Sequence, residues 1–431
     1  MRHTKKMTAA QVLLTLEAVR QRTALLLTHH EHLDHFTFHP DKLEAVVTQV
    51  LALIKRDYSS PVEIPPHSRW RHFEAVGNGK SGSKDRIGQL VEKWRSSGTD
   101  EKEVVRRLLD LFVVSVLLDA GAGSQWVYHP RDEPKETYSR SEGLAIASLD
   151  WFTAGGLSIS SSNKFQADAD GLIKISAESL AEAFQVTPEG NPLAGLAGRC
   201  QLLQRLGDVL LKHPQYFGPA TGSGYCRPGN IVDFLLSHSN NDDGTQSVSI
   251  DLLWEVVMKG LSGVWPPTRT SLDGAFLGDV WPSQSMKRIS AEFLPVEARL
   301  GSEFADSLVP FHKLSQWLTY SLMEPLSLLQ IVFEGADKMT GLAEYRNGGL
   351  FVDHGVIQLK QSTLDRLTAD QWTAGGIPRF AVHDEAVVEW RALTVALLDR
   401  VAELVRKQLG LTAKQLSLAK VLEAGNSILL P

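Results

Sequence analysis

Residues 100–128 read Asp-Glu-Lys-Glu-Val-Val-Arg-Arg-Leu-Leu-Asp-Leu-Phe-Val-Val-Ser-Val-Leu-Leu-Asp-Ala-Gly-Ala-Gly-Ser-Gln-Trp-Val-Tyr. Asp100, with Glu103 three places on, is a helix start, and residues 104–118 behind it form an apolar helical run. The run stops on a carboxylate, Asp119, and Gly121 and Gly123 follow. A helix that closes on Gly-x-Gly leaves open carbonyls and lets a ligand approach the backbone. Trp126 and Tyr128 come next, and a carboxylate beside flat aromatics suits a small polar ring or a sugar. The competing reading is a tight turn followed by two core aromatics.

Outward from this stretch, helical periodicity dominates. Residues 8–22 carry Val12, Leu13, Leu16 and Val19 on one face, and residues 40–55 repeat the pattern. Further helices are expected over 176–184, 192–212, 249–259, 311–333 and 386–409, with Pro325 kinking or dividing the fourth. Thr412-x-x-Gln415 is a capping box for a short final helix. The best strand is 348–359, a β-branched and aromatic run broken at Gly355. The fold class is therefore mainly α with a few short strands. The chain divides into an N-terminal helical lobe and loop over residues 1–100 and a larger helical body over 101–431.

Bulk properties narrow the function. The 431 residues are 43% hydrophobic and 22% charged, with a net charge of −6, the composition of a soluble globular protein. No long Lys/Arg block is present, which argues against a nucleic-acid partner. The longest strongly apolar run, residues 111–118, falls far short of the ~20 residues of a membrane span. Cys200 and Cys226 have no metal-ligand spacing, and such low cysteine usage fits a reducing, cytoplasmic setting.

Several motifs carry possible chemistry. Gly77-Asn-Gly-Lys-Ser81 tempts a phosphate-loop reading, but Glu74 stands where the pattern needs glycine, so a surface loop is expected. His29, His30, His32, His35 and His39 cluster without a coherent zinc set, and no metal is expected. Arg140, Ser141 and Glu142 precede an apolar helix, where arginine and backbone N–H groups suit an anion such as phosphate; the alternative is a helix cap with an internal ion pair. Asp279 and Trp281 sit in a loop, where a carboxylate beside an aromatic suits catalysis and an Asx-turn is the alternative. His312, Gln316 and Tyr320 recur at helical spacing and would form one polar face, with Lys313 adjacent. Glu344 and Arg346 would point the same way if the chain is extended there. Asp353 lies in an apolar run, where an unpaired carboxylate is costly, so it is expected to be functional or tightly paired.

Taken together, Arg69-Trp-Arg-His-Phe-Glu74, the Asp119–Gly123 turn with Trp126 and Tyr128, Arg140-Ser-Glu-Gly-Leu-Ala145, Gly278-Asp-Val-Trp-Pro282, the segment from Pro310 to Leu322 and Glu344-Tyr-Arg-Asn-Gly-Gly-Leu-Phe-Val-Asp353 carry a resemblance. The chain resembles the uracil catabolism protein 4 family from about residue 20 to residue 410. It departs from the family pattern at Ala75–Lys84, where the family has only a short glycine turn. In segment order it is also similar to the queuosine-salvage N-glycosylases, with Lys313, Gln316, Tyr320 and Ser321 in comparable places. That family's aspartate before the basic residue has no match, since Phe311 or His312 falls there.

The resemblance implies a helical body related to DNA-glycosylase-like folds and a step in pyrimidine breakdown through nucleotide-level intermediates. The expected reaction is hydrolysis of the N-glycosidic bond of a ribosyl-urea phosphate or a related ring-opened uridine nucleotide, without a cofactor. Its oxocarbenium-like transition state needs a carboxylate to stabilise positive charge or activate water; Asp279 or Asp353 is expected there. Asp119 would bind urea N–H groups or ribose hydroxyls. Arg140, Lys313 and Arg346 are the phosphate candidates, and Trp126, Trp281 and Tyr128 would wall the planar group. Glu142, His312, Gln316, Tyr320 and Glu344 complete the expected binding residues. A metal-dependent amidohydrolase of the ring-opened base and a non-catalytic nucleotide-binding pathway protein are the alternatives.

Overall fold

The computed structural model describes residues 7–80, 82–220, 224–242, 245–265 and 270–426. It is mainly helical with small sheets, and its contacts part into two compact units. The division does not fall at residue 100. One unit is assembled from Met1–Pro66, Pro267–Gln316 and Asp337–Pro431, the other from His67–Pro266 and Trp317–Ala336.

In the first unit the longest helix is Glu385–Leu409. The Asp384 side chain accepts from Ala386 N at its start, and Gly410, with φ +66°, ends it in the left-handed region that glycine tolerates best. Its apolar face packs on helices Leu16–Thr28 and Leu43–Asp57. The expected single helix over 8–22 is two, Ala9–Leu13 and Leu16–Thr28, because Thr15 caps the second by accepting from Ala18 N. Antiparallel pairs tie the unit together, Phe36–Phe38 with Ile357–Leu359 and Val280–Pro282 with Leu308–Pro310.

The strand expected over 348–359 is mostly helix. Tyr345–Asp353 is helical, and only Ile357–Leu359 is extended. Gly348 explains the override, because a Cβ there would come within 2.6 Å of Trp390 Nε1. A close helix–helix approach thus outweighs the β-propensity of Phe351 and Val352. The Thr412–Gln415 box is present, with Thr412 N donating to Gln415 Oε1 at 2.9 Å, but it closes a turn. The last helix begins later, at Leu418.

The second unit is built around Glu101–Leu117, whose Asp100 cap accepts from Glu103 N as its sequence indicates. Asp110 on this helix is fully buried and accepts from Arg227 Nε, Gly229 N and Ala167 N at 2.7, 2.6 and 3.1 Å. Helices Arg140–Thr153 and Leu196–Lys212 pack on it. A three-stranded sheet orders Ile331–Glu334, Thr245–Ser249 and Asn240–Asp242, the first pair parallel and the second antiparallel. The helix expected over 311–333 is Lys313–Ser327, with Pro325 in its last turn; its residues to Gln316 count with the first unit and those from Trp317 with the second.

Candidate functional site

In the second unit the Asp119 turn is held by a residue far away in sequence. Arg199 donates from Nε to Leu118 O at 3.1 Å and from Nη2 to Ala120 O and Gly121 O at 2.8 and 3.2 Å. It also bonds Ala194 O. The carbonyls expected to lie open for a ligand are therefore occupied, which satisfies the helix end internally. Trp126 and Tyr128 are core residues rather than ligand walls. Trp126 is buried, donates to Phe184 O at 2.9 Å and stacks with Tyr128 and Phe184. Tyr128 is buried and donates to Asp150 Oδ2 at 2.8 Å. Both polar tips are satisfied within the protein, the usual state of buried aromatic donors.

Asp119 faces Arg69. This arginine opens the short helix Arg69–Phe73 and is 0% exposed. Its backbone N donates to Ser321 Oγ at 3.0 Å and its Nε to Ser115 Oγ at 2.8 Å; Ser115 Oγ lies 2.7 Å from Ser148 Oγ. Nη1 lies 2.9 Å from Asp119 Oδ2, a close ion pair without well-angled hydrogen-bond geometry, and Nη2 has no hydrogen-bond partner among the described residues. Burial draws the Arg69 guanidinium below its usual range, against the opposing pull of Asp119 and Glu142.

Glu142 lies in the first turn of Arg140–Thr153. Ser139-x-x-Glu142 has the spacing of a capping box. Yet Ser139 makes no side-chain cap bond, and Glu142 makes no hydrogen bond or ion pair among the described residues. The internal cap and ion pair that competed with the anion reading are thus not formed. Arg140 is exposed and holds φ +50°, outside the usual range of L residues. Gly143 serves packing, since a Cβ there would sit 2.8 Å from Trp126 Cζ3 and 3.0 Å from the Tyr138 carbonyl carbon. Tyr320 is buried in the helix Lys313–Ser327. The Ala75–Lys84 insertion folds back on itself, with Lys84 N donating to Glu74 O at 2.8 Å, and Asn78 N donates to Thr137 O. Ser81, in the glycine-rich motif, lies outside the described residues.

In the first unit Asp279 is the centre of a second cluster. Its Oδ1 accepts from Trp281 Nε1 at 2.7 Å and Arg391 Nη1 at 2.9 Å. Its Oδ2 accepts from Arg391 Nη2 at 2.7 Å and Lys313 N at 3.0 Å. A carboxylate offers about four lone-pair positions, and here all are taken. The Arg391 fork, with help from Trp281 and Lys313 N, holds its carboxyl far below the usual range against the cost of burial. The guanidinium also lies over the Phe311 ring, 4.1 Å from its centroid. Asp279 is thus a permanently ionised staple that caps the Lys313–Ser327 helix from a distant loop, with no lone pair left to activate water. Trp281 is spent on the same staple.

His312 is not part of the expected helical face. It precedes the helix, holds φ +47°, and bonds Leu13 O through Nε2 at 2.8 Å. Burial lowers its pKa, so the imidazole is neutral near pH 7 and Nε2–H is the donor. Gln316 is saturated, donating to Phe311 O and Thr340 Oγ1 and accepting from Thr340 N. Lys313 Nζ pairs with Glu344, which caps the helix Tyr345–Asp353. Glu344 and Arg346 therefore lie at a helix start and not along a strand. Arg346 Nε donates to the Tyr345 hydroxyl at 3.3 Å. Asp353 is exposed at the end of that helix, so the burial that argued for a reactive carboxylate is not there.

The N-terminal histidines disperse. His29 stacks on Phe293 with centroids 3.8 Å apart, and His35 Nδ1 lies 3.0 Å from Thr363 Oγ1. Among the described residues no three His, Cys, Asp or Glu side chains group as a metal set, and no helix is long and apolar enough to cross a membrane.

Arg69, Arg199 and Arg391 received no role from sequence.

Fold and site thus define a mainly helical protein of two units, one of which buries an arginine against the carboxylate of Asp119. The chain belongs to the family described as protein of unknown function DUF1688, whose profile matches residues 12–427. It is 39% identical over 424 residues to the Uracil catabolism protein 4 of Lachancea kluyveri, covering 96% of this chain and 91% of that protein. It is 38% identical over 425 residues to Protein urg3 of Schizosaccharomyces pombe, with the same coverage.

Proposed function

We propose that the chain acts in uracil catabolism as a hydrolase that cleaves the N-glycosidic bond of a ribosyl-urea phosphate or a related ring-opened uridine nucleotide. The observation that carries the reading is its 39% identity, across nearly its whole length, to a protein named for uracil catabolism. Relation to the helical DNA-glycosylase-like folds and a cytoplasmic setting belong to the same reading.

The chemistry of the second unit suits such a substrate. Asp119 accepts N–H groups of the ureido part, and Arg69 beside it balances its charge. Arg140, exposed at a helix start, is the phosphate ligand, where guanidinium and helix dipole act together. It is preferred to Lys313, which Glu344 already engages. In the reaction a water oxygen bonds to the anomeric carbon, the bond to the ureido nitrogen breaks, and urea and ribose 5-phosphate are released.

The test is incubation of the pure protein with the phosphorylated ring-opened substrate and detection of both products. Release of the two together supports the reading; ammonia without ribose 5-phosphate points to an amidohydrolase and sinks it.

A further inference from the structure

We infer that the Gly77–Asn78 turn is a clip that positions Arg140 for the substrate phosphate, an inference that rests on Arg140 being the phosphate ligand proposed above. The glycine-rich stretch 77–80 does not itself cradle a phosphate; its contacts lead to the residue that does.

Asn78 grips the chain just before the helix Arg140–Thr153. Its backbone N donates to Thr137 O at 2.8 Å, and its Oδ1 accepts from Thr137 N at 3.0 Å. Its Nδ2 donates to Glu136 Oε2 at 3.0 Å and to Lys135 O at 3.4 Å. Both backbone groups of Thr137 are thus held, as a neighbouring strand would hold them. Asn78 holds φ +60°, a region that asparagine enters more readily than most residues. Gly77 makes the close approach possible, because a Cβ there would fall 2.5 Å from Glu136 Oε2, 2.7 Å from Glu136 Cβ and 3.1 Å from Tyr138 Cζ. The next two residues pair with Val127–Tyr128, Tyr138 opposite Tyr128 and Ser139 opposite Val127. The Tyr138 hydroxyl accepts from Arg86 Nη2 at 2.7 Å and donates to Glu133 Oε2 at 3.0 Å.

Arg140 follows this clamped segment directly. Its φ of +50° is one that a non-glycine residue keeps only where its surroundings impose it. The residue is exposed, and among the described residues its guanidinium makes no hydrogen bond or ion pair. The strained backbone therefore serves no internal contact of the arginine. It sets the direction in which an uncommitted cation leaves the helix start, where the dipole also favours an anion. Without the grip of Asn78, residues 137–140 relax and the guanidinium loses its fixed aim. Asn78 and Gly77 are positioning residues that act through Arg140 and touch no substrate.

The experiment compares full-length wild type, Asn78→Gly, Gly77→Ala, Arg140→Ala and the double variant Asn78→Gly/Arg140→Ala, with folding checked by circular dichroism. Asn78→Gly keeps the left-handed turn and removes its side-chain bonds, whereas Gly77→Ala keeps those groups and pushes the turn away from Glu136. Calorimetry with ribose 5-phosphate reads binding, and the phosphorylated ring-opened substrate reads turnover. Both clip variants are expected to raise the Kd for ribose 5-phosphate and the KM at least about threefold, with kcat within about twofold of wild type. Asn78→Gly is expected to add nothing to Arg140→Ala, since it acts through that residue. Clip variants that bind ribose 5-phosphate as wild type does, or that lower kcat alone, overturn the clip while the hydrolase reading stands. Arg140→Ala with unchanged Kd overturns the phosphate assignment and the clip together. A wild type that binds ribose 5-phosphate without turning over the substrate overturns the hydrolase reading, and the Kd values then decide the clip.

Discussion

Replacing Asp279 by Asn isolates what the Asp279–Arg391 fork contributes. The change removes the charge that two Arg391 nitrogens grip at 2.9 and 2.7 Å, and it turns one oxygen into an N–H donor facing other donors. Hydrogen bonds to charged groups contribute roughly 1.5–3 kcal/mol each. The pair is 17% and 27% exposed, so solvent screens part of this. The loss therefore lies between the ~1 kcal/mol of an exposed pair and the ~3–5 kcal/mol of a buried one, about 2–3 kcal/mol. At roughly 2–4 °C per kcal/mol for a body of this size, Tm should fall by about 5–10 °C at pH 7.5. Because the Asp279 carboxyl titrates below its ordinary value of 3.8, its stabilisation is complete above that pH and drains away as pH falls below it. The difference between wild type and Asp279→Asn should accordingly shrink in acid. Thermal melts of both proteins across pH, with Arg391→Gln and the double variant to close a cycle, measure this. A Tm change below 1 °C, or additive single variants, would refute the staple.

Four further outcomes follow from the same contacts. Arg199→Ala should speed hydrogen exchange over residues 118–123, since it uncovers the carbonyls of Leu118, Ala120 and Gly121; unchanged exchange there contradicts the role given to Arg199. Gly143→Ala should destabilise by about 1–3 kcal/mol through overpacking against Trp126, whereas Gly121→Ala, with nothing within 4 Å of its added Cβ, should be nearly neutral; equal effects in urea melts would count against this packing. Asp110→Ala should cost about 3–5 kcal/mol by leaving the buried Arg227 Nε, Gly229 N and Ala167 N without their acceptor, with Glu103 alone still paired to Arg227, read as a lower urea midpoint. Because burial lowers the His312 pKa below 6.5, the folded state binds fewer protons than the unfolded chain, so stability should drop as pH falls below 6.5. His312→Gln should flatten that slope, and an unchanged slope would exclude His312 as its source.

What was legible in the sequence was mostly local. Asp100 with Glu103 announces Glu101–Leu117, because cap and helix lie within a few residues of each other. The same holds for Ser176 before Ala177–Ala183, where the box closes on Ser179. Residues 345–353 were illegible as helix, since their propensity is extended and the decisive fact, the fit of Gly348 against Trp390, lies in a distant helix. The site failed to show for a related reason. Arg199 and Arg391 reach the carbonyls and the carboxylate they hold across 81 and 112 residues of sequence. Asp279 and Asp353 looked reactive from their neighbours in sequence. Only the three-dimensional partners show the first to be saturated and the second exposed.

The most direct test of the central claim is the product stoichiometry of the full-length protein acting on a ribosyl-urea phosphate. The account predicts urea and ribose 5-phosphate released one for one. No sugar phosphate above the protein-free control, or ammonia in place of urea, would contradict it.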